Sequence, residues 1–231
     1  MTFYIVSTPI GNMKDISLNA LEVLFNVDLI VSEDTRQTLK LLDFYKKDEQ
    51  IIPKMVSYND HNRDQKIPFI LAELQAGKNI ALVTDRGTPL ISDPGYKLVQ
   101  NIIKLSEVSE EIKIEILPGA SALLPALQLS GFPPDKFIFL GFLPRKKSHL
   151  TKLIEKYPEI TLIAYESPYR IMKSLTLIKD FNPELQIAVC FELTKMNQRV
   201  YRGTVTEVIE NMATKSLKGE VVVLMRNEGA Q

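Results

Sequence analysis

The stretch VTDRGTPLISDPG, Val83 to Gly95, brings together residue types that bind ligands. It carries carboxylates at Asp85 and Asp93, several hydroxyl groups and one arginine, Arg86, together with two glycines and two prolines. Glycine lets the backbone approach a ligand closely, and proline fixes the shape of a loop. Loops that join a strand to a helix are usually short and plain, so the length and polarity of this one indicate a binding function.

Three other segments share this character, and each follows an apolar run that predicts a strand. They are STPIGN at Ser7–Asn12, SEDTR at Ser32–Arg36 and LPGAS at Leu117–Ser121. Ligands of open α/β sheets bind beyond the carboxyl ends of the strands. Any one of these loops alone reads as an ordinary turn, whereas four at the same end of one sheet indicate a site. The sequence has no GxGxxG after its first strand and no GxxxxGK[ST], so neither a dinucleotide fold nor a P-loop is supported.

The elements that must position these loops follow from the hydrophobic pattern of the first half. β-branched and apolar runs predict strands at Thr2–Ser7, Asp28–Ser32, KMVSY, NIALVT and IKIEIL. Helical spacing predicts helices at Ser17–Phe25, Thr35–Leu42 and Tyr96–Leu105, and one more with Ile67, Ile70, Leu71 and Leu74 on one face, Pro68 in its first turn and Gly77 past its end. Strands that alternate with helices predict parallel βαβ units.

The second half repeats this alternation and then departs from it. Ser121 opens a predicted helix that Gly131 closes, and further helices start at Ser148 and in YRIMKSLTLI, between the strands KFIFL, TLIAYE and QIAVCFEL. The last two strands, RVYRGTV and GEVVVLM, are separated by one short helix, Thr206–Met212, which predicts a mixed sheet. Pro118 and Gly119 interrupt the pattern, so we predict two α/β domains, 1–117 and 118–231.

The composition limits the classes of function. The 231 residues are 45% hydrophobic and carry 28 Lys plus Arg against 28 Asp plus Glu, so they can form a core, and a general polyanion binder is disfavoured. The single cysteine, Cys190, reads as a buried small apolar residue, and one Cys with two His cannot build a structural zinc site. The N-terminus reads as a strand, and no apolar run approaches the length of a membrane span. We therefore expect a cytoplasmic protein that binds no membrane and no metal.

A family resemblance extends over nearly the whole chain. The segments YIVSTPIGN, VDLIVSEDTR, VTDRGTPLISDPGY, LPGASALLPAL, FLGFLPRK, YESPYR, ELTK and KGE occur in that order. With them the chain resembles the bacterial 16S rRNA (cytidine-2'-O)-methyltransferases of the tetrapyrrole methylase superfamily. The resemblance implies two α/β domains, S-adenosylmethionine bound in a cleft between them, and a homodimer. It also implies the substrate, the ribose 2'-hydroxyl of a decoding-centre cytidine of 16S rRNA in the small ribosomal subunit.

The resemblance also implies a set of cofactor-binding residues. Asp85 falls on the aspartate of the Gly-Asp-Pro motif that precorrin methylases carry, where a carboxylate favours the cationic parts of the cofactor. The other positions implied to contact it are Pro9, Gly87, Thr88, Ser121, Ala122 and Tyr165. Ser121 can also serve as a simple helix N-cap.

The catalytic groups stay open at this level. A ribose hydroxyl is a poor nucleophile until it loses its proton, so a general base can contribute roughly a hundred- to ten-thousand-fold. We select Glu33, Glu166 and Lys195, the last of which could act as a base only if burial lowers its pKa. Further candidates are Asp34, Asp60, His61 and Glu192, and for each residue a structural hydrogen bond or salt bridge is the competing interpretation.

The candidate RNA-binding residues are cationic side chains within or near these motifs. They are Arg36, Arg86, Arg145, Lys146, Lys147 and Arg170. The run PRKKSHL equally fits a solvated helix face, and His149 within it reads as a surface residue. The family usually has Ala in place of Arg86, Pro in place of Ala120 and often His in place of Tyr169. Typical members also continue into a small helical C-terminal extension, whose absence would weaken rRNA docking.

Arg86 has three possible positions. It could pair with Asp85 or Asp93 and obstruct the cofactor, point outward, or bind an rRNA phosphate, which is the role we favour. Two other classes of function remain open. A small-molecule methylase of the tetrapyrrole pathway would share the fold but lack SEDTR, YESPYR and ELTK, and a non-catalytic RNA-binding module would need no cofactor site.

Overall fold

Two β-sheets organise residues 1–227, the part of the chain that the computed structural model describes. Each sheet belongs to its own unit, Met1–Ser121 for the first and the residues from Ala122 onward for the second. The α/β class predicted from the sequence is confirmed.

The sheet of the first unit is entirely parallel. Its spatial order is β3-β2-β4-β1-β5. The strands are β1 (Thr2–Val6), β2 (Leu29–Ser32), β3 (Lys54–Ser57), β4 (Ile80–Val83) and β5 (Lys113–Leu117). Every residue of β2 and β4 is buried, as expected for central strands covered by helices on both faces.

Four helices connect these strands. They are α1 (Leu18–Asn26), α2 (Thr35–Tyr45), α3 (Arg63–Gln75) and α4 (Tyr96–Val108). The helix α3 begins earlier than predicted, so Pro68 lies in the helix interior and not in its first turn. The predicted stop at Gly77 is confirmed by its φ of 89°, a left-handed conformation that favours glycine.

The sheet of the second unit is mixed, as predicted. Its order is β6-β7-β10-β8-β9, in which β6 and β7 are parallel and the other neighbours are antiparallel. The strands are β6 (Phe137–Phe142), β7 (Thr161–Glu166), β8 (Gln186–Phe191), β9 (Arg199–Thr204) and β10 (Val221–Arg226). Cys190 is fully buried in β8, and burial raises its pKa to about 12, so the interpretation as a small core residue is confirmed.

The helices of the second unit pack on this sheet and on each other. They are α5 (Leu123–Ser130), α6 (Lys147–Lys156), α7 (Ile171–Lys179) and α8 (Val205–Met212). The prediction that Ser121 opens and caps α5 is wrong: the helix begins at Leu123, and the residue in front of it, Ala122, has no capping oxygen. No helix among residues 1–227 is both long and apolar enough to span a bilayer.

Candidate functional site

The four predicted loops leave the first sheet at its carboxyl end, because β1, β2, β4 and β5 all run parallel. We refer to this end of the sheet, with its four loops, as the edge. Backbone hydrogen bonds join the loops after β1 and β4: Thr8 N–H donates to the Gly87 carbonyl at 2.9 Å, and Gly87 N–H donates to the Thr8 carbonyl at 3.0 Å. The loop after β1 also meets the end of β5, where Ser7 N–H donates to the Leu117 carbonyl at 3.2 Å. The expected clustering of these loops is therefore present.

Hydroxyl groups extend this network. The Thr88 hydroxyl donates to the Ala120 carbonyl at 3.0 Å, so the Ser7 hydroxyl, 3.1 Å away, donates to Thr88 Oγ1. A Cβ at Gly119 would lie 2.8 Å from Cβ of Ser7, which explains the glycine of LPGAS. The predicted cofactor residue Thr88 thus uses its hydroxyl proton inside the loop network, where it holds the loops together.

Gly87 is required at its position by both conformation and space. Its φ of 84° lies in the left-handed region, and an added Cβ would lie 3.1 Å from Cγ2 of Ile10. Gly87 and Pro9, another predicted cofactor residue, are both buried. Gly87 therefore packs against the loop after β1, and contact of either residue with a cofactor stays a prediction.

Asp85 lies two residues past the end of β4 and is half-buried. Its Oδ1 accepts a hydrogen bond from Asp34 N–H at 2.9 Å, which ties it to the loop after β2. Burial raises the pKa of Asp85 above its ordinary value, and the hydrogen bond from Asp34 and the positive charge of Arg86 act in the opposite direction. Arg86 itself is exposed. Its part in RNA binding stays a prediction.

The long loop after β4 turns back on itself and returns Asp93 to the end of its own strand. Leu90 and Ser92 have φ values of 75° and 70°, and Gly95 has a φ of 142°. A Cβ at Gly95 would lie 2.7 Å from Cδ2 of Leu90. These constrained residues fix the course of the loop and bring the Asp93 carboxyl to the Thr84 hydroxyl. The return of Asp93 to this position explains why the loop is long and rigid.

Asp93 is a site residue that the sequence interpretation named only as a possible partner of Arg86. Burial raises its pKa to about 6, and the negative charges of Glu33 and Asp85 act in the same direction. The one available signal in the sequence was an aspartate held in front of a proline in SDPG, which alone is typical of a turn.

Thr84 lies between two carboxyl groups but has one proton to donate. Its hydroxyl donates to Glu33 Oε2 at 3.0 Å. The Asp93 carboxyl also lies within hydrogen-bond reach of the Thr84 hydroxyl, and this contact lowers the Asp93 pKa against the larger, opposite effect of burial. Glu33, a candidate base, is thus held by Thr84 at this edge, and Glu33 Oε1 accepts no hydrogen bond within residues 1–227.

The chemistry of the edge fits a cationic ligand. Three carboxyl groups, those of Glu33, Asp85 and Asp93, lie within electrostatic range of one another, whereas the two cationic side chains of the four loops, Arg36 and Arg86, are exposed. S-adenosylmethionine carries an ammonium and a sulfonium, so the edge suits it better than it suits a phosphate. Two other predicted contacts, Ala122 and the half-buried Tyr165, belong to the second unit, and their role stays a prediction.

Two other acidic candidates for the general base are held in ion pairs. Asp34 binds Arg36 with both carboxylate oxygens, at 2.9 Å from Nε and 2.7 Å from Nη2, and these bonds lower the Asp34 pKa to about 2. Asp60 pairs with Arg63 at 2.9 Å. Both carboxylates are therefore weaker candidates for a base than Glu33.

Glu166, in the second unit, is held by three donors at the end of β7. Its side chain is 0% exposed. Oε1 accepts Ser167 N–H at 2.6 Å, while Oε2 accepts the Ser174 hydroxyl at 2.5 Å and pairs with Arg170 Nη2 at 3.3 Å. These contacts favour a structural role for Glu166 over contact with a substrate.

The motifs ELTK and KGE form one cluster. Lys195 Nζ donates to Glu192 Oε1 at 2.8 Å and to Glu220 Oε2 at 2.9 Å, and Glu220 N–H donates to Glu192 Oε1 at 2.8 Å. Glu192 and Thr194 have φ values of 51° and 64°, and a Cβ at Gly219 would collide with the Glu192 side chain. Both carboxylates bind the Lys195 ammonium, and these contacts favour a structural ion pair over a role as the base.

Some of the predicted RNA-binding cations form ion pairs with other residues of the protein, and others do not within residues 1–227. Arg145 and Lys146 are exposed and make no ion pair within residues 1–227, whereas Lys147 pairs with Asp180 at 3.5 Å and Arg36 with Asp34. Two histidines, His61 and His149, are exposed surface residues.

Comparison with known proteins connects this fold to a class of enzymes. A solved structure of diphthine synthase superposes with a TM-score of 0.68 at 15% identity, covering 98% of this chain and 90% of that one, so the two share a fold. Residues 2–209 match the family of Tetrapyrrole (Corrin/Porphyrin) Methylases.

Proteins similar in sequence identify the group of methylases to which the chain belongs. The ribosomal RNA small subunit methyltransferase I of Thermotoga maritima is 41% identical over 96% of both chains. The protein of the same name from Bacillus subtilis is 40% identical over 96% of this chain and 74% of its own length. The chain therefore belongs to the tetrapyrrole methylase family and, within it, to the ribosomal RNA small subunit methyltransferases I. Enzymes of this family use S-adenosylmethionine.

Proposed function

We propose that this protein transfers a methyl group from S-adenosylmethionine to the ribose 2'-hydroxyl of cytidine 1402 of 16S rRNA. The observation that supports the proposal is the arrangement of the loops at the carboxyl end of the first sheet. Four loops are joined there by hydrogen bonds and place the carboxyl groups of Glu33, Asp85 and Asp93 together. Membership of the family supplies the cofactor and the reaction class.

In the proposed mechanism this edge holds and orients the reactants. When bound, S-adenosylmethionine supplies a methyl group on a positively charged sulfur. Asp85 offers a carboxylate to the cationic part of the cofactor, and Gly87, with its left-handed φ of 84°, shapes the loop that carries Asp85. Alignment of a hydroxyl with a methyl group in such a preorganised site can contribute ~7–11 kcal/mol to the lowering of the barrier.

The proton of the 2'-hydroxyl needs an acceptor as the new oxygen–carbon bond forms. We propose Glu33 Oε1, because the other oxygen of that carboxylate is held by Thr84 at 3.0 Å.

We also propose a homodimer that works in the cytoplasm, where ribosomal subunits are modified. Support for the dimer comes from the edge strand β6, where Phe142 is 57% and Phe137 39% exposed, and such an apolar edge favours a partner. Light scattering of the purified protein tests this proposal: a monomeric mass at micromolar concentration would contradict it.

The reaction is tested by transfer of tritium from labelled S-adenosylmethionine to purified small ribosomal subunits that lack the modification, followed by mapping of the labelled nucleotide. We expect label on one cytidine and resistance of that ribose to alkaline cleavage. A short naked hairpin of the same sequence should react poorly, because a chain of zero net charge depends on RNA shape and several spaced contacts. Label on a tetrapyrrole and none on RNA would assign the protein to the small-molecule methylases.

A further inference from the structure

Arg170 is anchored on one side of its guanidinium only. Its Nη2 donates to the Leu143 carbonyl at 3.1 Å and lies 3.3 Å from Glu166 Oε2. The Arg170 side chain is 28% exposed, and neither Nη1 nor Nε makes a hydrogen bond within residues 1–227. An arginine held in this way keeps its charge in place and presents its remaining donors, which match the geometry of a phosphate.

Glu166 is the group that fixes this arginine. The carboxylate is removed from solvent and also accepts bonds from Ser167 N–H and the Ser174 hydroxyl. A buried carboxylate with these partners has one favourable orientation, so the position of the Arg170 guanidinium is set before any ligand arrives.

The loops after β6 and β7 present further groups at the same end of the second sheet. The two strands are parallel neighbours, and Leu143 N–H donates to the Tyr165 carbonyl at 3.1 Å. The residues that follow Leu143 include the exposed cations Arg145 and Lys146, and the residue before Arg170 is Tyr169, 97% exposed. Lys147, the next cation along the chain, forms an exposed ion pair with Asp180 at 3.5 Å.

An aromatic ring that is 97% exposed, next to an anchored arginine and at the same end of the sheet as two exposed cations, fits single-stranded nucleic acid. Bases stack on exposed rings, and cations bind the phosphates between them. Solvent exposure of a ring without packing partners costs free energy, and stacking by a base would recover it.

We propose that Tyr169, Arg170, Arg145 and Lys146 form an RNA-docking surface in which a base stacks on Tyr169, a phosphate binds Arg170, and Glu166 is a positioning residue for Arg170. This inference rests on the proposed function, since it names the surface that receives the rRNA. It gives Glu166 a role different from that of the general base predicted from the sequence.

The stacking role is tested by affinity for small subunits at fixed ionic strength. Tyr169→Leu should weaken binding by about 5- to 150-fold, the range that corresponds to loss of one stacked base, whereas Tyr169→Phe should bind like the wild type. Neither change should lower the melting temperature, because the ring has no packing contacts to lose. Phe44→Leu, at an exposed ring of the first unit, is the matched control and should bind like the wild type.

The electrostatic role is tested by salt dependence. Arg145→Ala and Lys146→Ala should each make the slope of log affinity against log salt shallower by roughly 0.7 to 0.9 units. Lys104→Ala, at an exposed lysine on α4, should leave the slope unchanged.

Glu166→Gln tests the positioning role, because the amide preserves shape but removes the charge that holds Arg170. We expect KM for subunits to rise about tenfold while kcat and the affinity for S-adenosylmethionine stay near wild type. A lower melting temperature with unchanged KM would show that Glu166 is structural only and would overturn this part.

Two different experimental outcomes distinguish an error in the docking surface from an error in the proposed function. Methylation by the wild type with unchanged subunit binding in the Tyr169→Leu and Arg145→Ala variants would overturn the docking surface alone. Absence of both methylation and subunit binding in the wild type would overturn both proposals.

Discussion

Thr8 and Gly87 exchange a pair of backbone hydrogen bonds, at 2.9 Å and 3.0 Å, between two loops that are far apart in sequence. The Thr8 hydroxyl adds a bond to the Thr84 carbonyl at 3.1 Å. These contacts hold the loops after β1 and β4 in one arrangement without any ligand. A binding edge that is already ordered avoids the entropic cost of ordering its loops when the cofactor binds.

Replacement of Gly87 by alanine should disturb this arrangement. A side chain is disfavoured at a φ of 84°, and its Cβ would press on Ile10 at 3.1 Å. We expect a loss of about 1–2 kcal/mol in the free energy of unfolding, measured in urea, together with weaker binding of S-adenosylmethionine.

Gly77→Ala is the matched control, since its φ of 89° is similar but the space around it is open. It should cost about 1 kcal/mol and leave cofactor affinity unchanged. Equal cofactor affinity in both variants would contradict a role for Gly87 in the site.

Asp85→Ala should weaken S-adenosylmethionine binding while the fold stays intact. The change removes a carboxylate at the end of β4 and the acceptor for Asp34 N–H. Loss of one hydrogen bond to a charged group corresponds to about 1.5–3 kcal/mol, or roughly 10- to 150-fold in affinity. Titration calorimetry measures this change, with the exposed carboxylate variant Asp43→Ala as a control. An unchanged affinity would remove Asp85 from the cofactor site.

The raised pKa of Asp93 predicts that the free energy of unfolding depends on pH. The pKa of its carboxyl is about 6 in the folded chain and 3.8 ordinarily, so the folded chain binds more protons than the unfolded chain between these values. The contribution of Asp93 is therefore fully present below pH ~4 and is lost as the pH rises through about 6.

Asp93→Asn keeps the shape of the side chain and removes the titration. We expect the variant to be more stable than the wild type at pH 7 by on the order of 1 kcal/mol, a value reduced for solvent screening, and to lose the difference near pH 4. Urea unfolding at pH 4, 5, 6 and 7 measures this. Parallel stability curves for the two proteins would show that Asp93 does not titrate in this window.

Arg86→Ala tests the residue that departs from the family pattern. If Arg86 binds an rRNA phosphate, affinity for small subunits should fall and the log–log salt slope should become shallower by about one unit. Affinity for S-adenosylmethionine, measured separately, should stay unchanged. Tighter cofactor binding with unchanged subunit binding would instead show that Arg86 obstructs the site.

The sequence by itself determined the class of fold and the edge at which the site lies. Runs such as Ile80–Val83 are buried on both faces and therefore lack polar alternation, and the Gly- and Pro-rich loops follow them directly. Such local patterns predict strands, helices and the carboxyl ends of a parallel sheet, because their cause lies within a few residues. The order of motifs identified the family, which the comparisons confirmed.

The partners of individual side chains were decided only by the tertiary structure. The pairing of Asp93 with Thr84, across the left-handed residues Leu90 and Ser92, depends on how a loop folds back on itself. Likewise, Glu166 looked like a base in sequence, but three donors from its own turn and from α7 occupy it. Hydrogen bonds and burial depend on distances between residues remote in the chain, and no local pattern specifies those distances.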